Sequence, residues 1–393
     1  MNEVYLVAGV RTAVGKFGGA LADSPPSQLG TLVAAEALRR AGVAPAQIGH
    51  VVFGQVVQTE PRDMYLSRVV AVEAGIPVET PALTVNRLCG SGLQAVLSAA
   101  QAIMLGETDI ALAGGAEVMS RAPYQTEGVR WGTRMGTARV IDMLTSALTD
   151  PFTPIHMGVT GENVADRYGV TRDAQDALAL ESHNRASHAT RAGYFKDQIL
   201  PVELKKKGKV ALFDADEHIR HDATIDDFKT LRPVFRKENG TVTAGNASGI
   251  NDGAAAIVLA SGEAVRRENL KPLARLVSYA HAGVDPNYMG IGPVPATRLA
   301  LKRAGLATAD LDVIESNEAF AAQACAVARE LGFDPAKVNP NGSGISIGHP
   351  VGATGAINTV KALHELHRTG GRLALVTMCI GGGQGIAAIL ERA

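Results

Sequence analysis

The chain has 393 residues, 46% hydrophobic and 20% charged, with 43 glycines and a net charge of −1. That length exceeds one ordinary core and predicts two or three globular α/β domains, with glycine clusters serving tight turns and close backbone approaches. The charge balance gives no argument for a nucleic-acid or membrane partner. Three cysteines (Cys89, Cys325, Cys379) exclude a disulfide framework and a CxxC zinc pair, so a reducing, cytoplasmic setting is expected.

In chain order, "VYLVAGV" (4–10) reads as a short strand, not a leader, and no run of 18 apolar residues predicts a membrane span. Residues 36–52, "EALRRAGVAPAQIGHVV", read as helix, glycine stop, short loop and strand. "VNRLCGSGLQAV" (85–96) sets Cys89 in a small-residue turn before an apolar helix. The residues alone leave two readings open: a packed thiol, or a nucleophile whose pKa is lowered by the helix N-terminus. "DIALA" (109–113) predicts a buried strand.

Residues 120–245 differ in character. They hold the single Trp, "PFTPIHMG", the charged stretch "LKKKGKVALFDADEHIRHDATIDDF", and an amphipathic helix beginning after Thr171 as N-cap. They are expected to form an insertion, after which "TAGNASGINDGAAAIVLA" ends in a buried strand.

Residues 299–315, "LALKRAGLATADLDVIE", then repeat 36–52 at an offset of 263, pairing Gly42 with Gly305 and Arg40 with Arg303. The same offset aligns "CGSGLQAV" (89–96) with "GATGAINT" (352–359) and "DIALA" with "RLALV" (372–376). A duplicated α/β unit follows, divided as residues 1–119 plus 246–271, an inserted 120–245, and 272–393. The repeat puts His349 three residues before the position matching Cys89, so two helix starts are expected to face one another, with a Cys and a His at their tips. Asn317, in "IESNEAF", reads from its position alone as a helix cap, and Cys325 as an inert core residue. "LALVTMCIGGGQGIAAIL" reads as a hairpin whose glycine turn exposes backbone N–H groups at Cys379, rather than as a phosphate loop.

Together "NRLCGSG", "HMG", "TAGNASG", "NEAFAAQ", "GISIGHPVGATGA" and "CIGGGQGIA" resemble the thiolase family over essentially the whole chain, in its order and spacing, and most closely its short-chain biosynthetic members. The resemblance implies two five-stranded mixed sheets stacked as α-β-α-β-α layers, with the insertion as a loop domain over coenzyme A. It implies Cys89 as acylated nucleophile, His349 as its activator, and Cys379 as the acid/base. Asn317 would hold a water that completes one oxyanion hole with His349, and the N–H groups of Cys89 and Gly381 would form another. Ser248, His156, Met157 and Arg220 would line the coenzyme A path; Leu88, Met157, Met289, Ala319 and Phe320 would bound a short acyl pocket.

The implied reaction is the reversible Claisen condensation of two acyl-CoA thioesters, favouring C4 and allowing C5–C6 products. It would need no metal or cofactor. The implied assembly is a homotetramer joined through "YQTEGVRWGTRMG". Arg87 departs from the Gln found in many acetoacetyl-CoA thiolases. Rival readings are a degradative thiolase of longer chain length, a β-ketoacyl synthase, against which Cys379 argues, and a non-catalytic acyl-CoA binder, which would have no use for both thiols and His349.

Overall fold

The computed structural model describes residues 2–206 and 209–393; Lys207 and Gly208, in the charged stretch, lie outside the described residues. The first half supplies strands β1 (Val4–Thr12), β2 (His50–Gly54), β3 (Ala82–Val85), β4 (Ile110–Val118) and β5 (Asn251–Ser261). Its helices are α1 (Pro26–Ala41), α2 (Leu66–Glu73) and α3 (Ser91–Leu105). Between β4 and β5 run α4 (Met157–Tyr168) and α5 (Arg172–Ala192). The second half supplies β6 (Ala274–Gly283), β7 (Val313–Ser316), β8 (Leu373–Ile380) and β9 (Gln384–Arg392), with α6 (Pro293–Ala304), α7 (Ala321–Leu331) and α8 (Thr354–Thr369).

The repeat is visible element by element. Gly42 and Gly305 end α1 and α6 in the left-handed conformation, at φ +65° and +66°, where glycine carries no Cβ penalty. Strands β4 and β5 are buried along their whole length, which accounts for their unbroken apolar sequence. The strand order is β3-β2-β4-β5-β1-β6-β9-β8-β7. Among the described residues the two half-sheets pair antiparallel through Tyr5↔Arg275 and Leu6↔Ala274 alone. Helices α3 and α8 lie between the half-sheets, α8 touching β4 and β5 on one side and β7 and β8 on the other. Helices α1 and α2 cover one outer face, and α6, with α7 beside it, the other. This is the expected five-layer stack.

The second half departs from five strands. Its sheet has four, and Val338 adds one isolated bridge to Ile314. The stretch matching β3 at the repeat offset, 345–348, turns instead, between Gly342 and Gly348 at φ +76° and +117°. The Leu88–Leu105 stretch matches a membrane span in length and mean hydropathy (1.4), yet 67% of it is buried between the sheets.

Within the insertion, Thr171 caps α5 through Ala174 N–H at 3.3 Å. A buried ion pair anchors the segment to β1: Arg11 Nη1 lies 2.7 Å and Nη2 2.9 Å from the Asp216 carboxylate. Such a pair adds little net stability, but losing either partner strands a buried charge.

Where α3 and α8 begin, their backbones touch. A Cβ on Gly92 would stand 2.7 Å from Ala356 N, and one on Gly355 would stand 2.9 Å from Leu93 Cα. Gly92 and Gly355, like Leu93 and Ala356, are repeat partners, so the contact is locally two-fold symmetric. A methyl group here meets backbone, which cannot rotate away. Gly355→Ala should therefore destabilise the fold by about 3 kcal/mol, at the upper end for overpacking, read as a lower urea midpoint with an unchanged slope.

Candidate active site

Cys89 stands at the tip of a turn closed by its neighbours. Asn86 Oδ1 accepts from Leu88 N–H at 2.9 Å; Ser91 Oγ accepts from Arg87 N–H at 2.9 Å and donates to Leu88 O at 2.6 Å. Leu88 is held at φ +44°, a strained region for a side chain with a Cβ. The strain re-aims the next residue toward the cleft. The turn rests on the end of β8: a Cβ on Gly90 would stand 2.6 Å from Ile380 Cδ1.

Strands β8 and β9 form the expected hairpin, with Gly382 and Gly383 left-handed at φ +79° and +83°. That turn directs the Gly381 N–H at the Cys89 sulfur, as Cys89 directs its own. Burial nonetheless pushes the Cys89 thiol pKa up, and the Glu117 charge adds to it. The two N–H groups pull it downward, and desolvation outweighs them. Cys379, fully buried, is pushed further up, first by burial and then by Cys89. Both thiols therefore rest protonated.

His349 sits after left-handed Gly348, its N–H held by Asn251 Oδ1 at 2.9 Å. Its ring bridges two groups: Nδ1 lies 2.6 Å from Thr354 Oγ1 and Nε2 3.4 Å from Asn317 Nδ2. Burial lowers its pKa to about 4, so it is a neutral imidazole at ordinary pH. Asn317 does not cap a helix. The residue before α7 is Phe320, and the Asn317 side chain turns to His349 instead.

A cavity of about 300 Å³ opens over this floor, walled by His156, Met157, Phe235, Ser248, Phe320 and His349. The segments bearing Ser248 and Phe320 are tied by an Ala247↔Phe320 bridge and by Ser248 N–H to Ala319 O at 2.9 Å. His156 caps α4 through Gly158 N–H at 3.1 Å and stacks on Phe235 at 4.7 Å. Beneath, Met157, Met289, Ala319, Phe320 and Cys379 form one apolar cluster. Leu88 and Met157 approach over Gly381, their Cδ1 and Sδ at 3.4 and 3.3 Å from where its Cβ would be.

Comparison with known proteins matches residues 4–263 to the thiolase N-terminal domain and 270–392 to the thiolase C-terminal domain. The chain belongs to the thiolase family. It is 69% identical to Beta-ketothiolase BktB of Cupriavidus necator, over 100% of this chain and 99% of that protein. It is 51% identical to an acetyl-CoA acetyltransferase of Chromobacterium violaceum, over 99% and 100%. The human mitochondrial 3-ketoacyl-CoA thiolase, solved in complex with CoA, superposes with a TM-score of 0.97 at 45% identity, covering 100% of this chain and 98% of that one.

Two placements in this thiolase differ from expectation. Arg220 is exposed and outside the cavity wall; its guanidinium reaches Ala244 O at 3.4 Å and lies over the Phe228 ring at 5.8 Å. Cys325 is half-buried, not core. It faces a second cavity beside α5, and burial raises its pKa to about 11.

Sequence reasoning missed Glu117 and Thr354. Glu117 ends β4 and accepts N–H bonds from Val56, Val57 and Gly352 at 2.9, 3.1 and 2.9 Å, tying the His349 loop to the first half. Burial raises its pKa to about 8 against those three donors. A lone acid closing an apolar strand was the available signal.

The His349 environment has a testable pH consequence. Its folded pKa lies near 4, below the ordinary 6.5, so between those values the unfolded chain binds a proton that the folded chain refuses. Wild type should lose stability relative to His349→Asn as pH falls through that window. Paired urea titrations check this; a constant difference would contradict it.

Proposed function

We propose that the protein catalyses reversible condensation of two acyl-CoA thioesters to a 3-ketoacyl-CoA and CoA through an acyl-cysteine at Cys89. The observation that carries this reading is the convergence of the Gly381 and Cys89 N–H groups on the Cys89 sulfur, with Cys379 beside it and the His349–Asn317 pair at the same meeting of helix starts.

His349 Nε2 takes the Cys89 proton as the sulfur attacks the thioester carbonyl. The tetrahedral oxyanion forms against the N–H groups of Cys89 and Gly381, donors each worth about 3–4 kcal/mol when preorganised. The bond to the CoA sulfur breaks, and Cys379, resting as a thiol, gives that sulfur its proton. Its own thiolate then stands against the His349 imidazolium, a pair that eases both buried charges. When a second acyl-CoA arrives, the Cys379 thiolate removes its α-proton. The enolate oxygen is held by His349 Nε2–H and by a water on Asn317. The enolate carbon attacks the acyl carbonyl, Cys89 leaves as thiolate, and His349 returns its proton. All protons are thereby restored.

Coenzyme A enters through the cavity between Ser248, His156 and Met157. The methionines beside Ala319 and Phe320 favour short acyl groups, with C4 products preferred and C5–C6 accepted, because unbranched thioethers yield to an added methylene. A homotetramer is part of this reading, supported by the exposed Trp131 (87%) and Met135 (94%) in the 124–136 segment.

Incubation with acetyl-CoA should leave an acetyl adduct on the Cys89 peptide in mass spectrometry. Cys89→Ala should abolish the adduct and lower thiolysis of acetoacetyl-CoA at least about 10³-fold. Cys379→Ser should still form the adduct yet lose condensation by about 10²–10⁴-fold. An adduct on another residue would overturn the assignment.

A further inference from the structure

The base proposed for Cys89 must present a lone pair on one particular ring nitrogen, and burial alone does not select it. The groups around His349 do. Thr354, the first residue of α8, has its Oγ1 2.9 Å from Pro350 O and 2.6 Å from His349 Nδ1. A carbonyl oxygen only accepts, so the 2.9 Å contact to Pro350 O is a hydrogen bond when Thr354 gives its hydroxyl proton there. With that proton committed, Oγ1 faces Nδ1 with a lone pair, and Nδ1 must carry the hydrogen. On the other side, Asn317 Nδ2 at 3.4 Å donates toward Nε2. The chain of donors runs one way: Asn317 N–H to Nε2, Nδ1–H to Thr354 Oγ1, and Thr354 O–H to Pro350 O.

We propose that Thr354 is a positioning residue: its hydroxyl fixes His349 as the Nδ1–H tautomer, leaving Nε2 as the basic atom toward Cys89. The proposal rests on the acyl-cysteine reading above and adds how the base is prepared. Thr354 is buried and does not wall the cavity. It acts through His349, and its place four residues after Pro350 lets the carbonyl of the loop before α8 set the direction of the hydroxyl. The same arrangement serves the imidazolium, whose Nδ1–H keeps its acceptor while Nε2–H turns to the enolate oxygen.

The test uses the full-length protein, wild type and the Thr354→Val and Thr354→Ser variants, with ¹⁵N-labelled histidine. Wild-type His349 should give the NMR pattern of a neutral ring protonated at Nδ1. Thr354→Val, which keeps the shape and loses the hydroxyl, should mix the tautomers. It should lower kcat for thiolysis about 10- to 100-fold, a part of the full general-base contribution, with KM unchanged. Alkylation of Cys89 by iodoacetamide should slow in parallel, and Thr354→Ser should restore most of each loss.

An Nε2–H ring in the wild type would overturn the proposal even if the valine variant failed to fold. So would a valine variant with wild-type kcat and alkylation rate. If wild-type Cys89 still took the acetyl adduct in either case, the acyl-cysteine reading would stand and Thr354 alone would be misassigned. Absence of that adduct from the wild type would overturn both.

Discussion

The active floor depends on two helices meeting backbone to backbone at their N-termini. Gly92 and Gly355 let α3 and α8 approach until the atoms of one chain fill the space a side chain would take on the other. This contact lies in the middle layer, with one half-sheet on each side. It brings the Cys89 turn and the His349 loop, about a domain apart in sequence, to one place without a shared strand. Among the described residues only two pairs join the sheets themselves, and the glycine contact and the Glu117 side chain reaching Gly352 add ties between the halves.

The approach that assembles the site also dries it. Desolvation dominates the ionisation of its titrating members: Cys89 and Cys379 move up, His349 moves down, and Glu117 moves up. The thiols and the imidazole of the resting site are thus neutral groups, each able to give or accept one proton. Donors fixed in a low-dielectric cleft act more strongly on transient charge than they would in water.

Much of this was legible along the chain. The glycine stops at Gly42 and Gly305 and the shared offset gave the duplication, and the insertion stood out by its charge and aromatic content. The hairpin at Cys379 followed from a glycine turn running into an apolar strand. Asn317 and Cys325 show where local reading ends. Asn317 carries a good capping side chain, but His349, distant in sequence, competes for it. Cys325 lies among alanines that imply a core, yet that face of α7 opens on a cavity beside α5. The missing fifth strand of the second half has the same origin, since glycines that look permissive in sequence adopt left-handed turns that no ladder tolerates.

The amino-acid sequence by itself determined the duplicated α/β architecture, the glycine turns, and which residues carry reactive atoms, because periodicity and backbone permissiveness are local properties. Tertiary structure decided the ionisation of those atoms, the partner of Asn317, the tautomer imposed on His349, and the tie made by Glu117. Each depends on solvent exclusion and on donors brought from the other half of the chain, and neither quantity is written in the neighbourhood of any one residue.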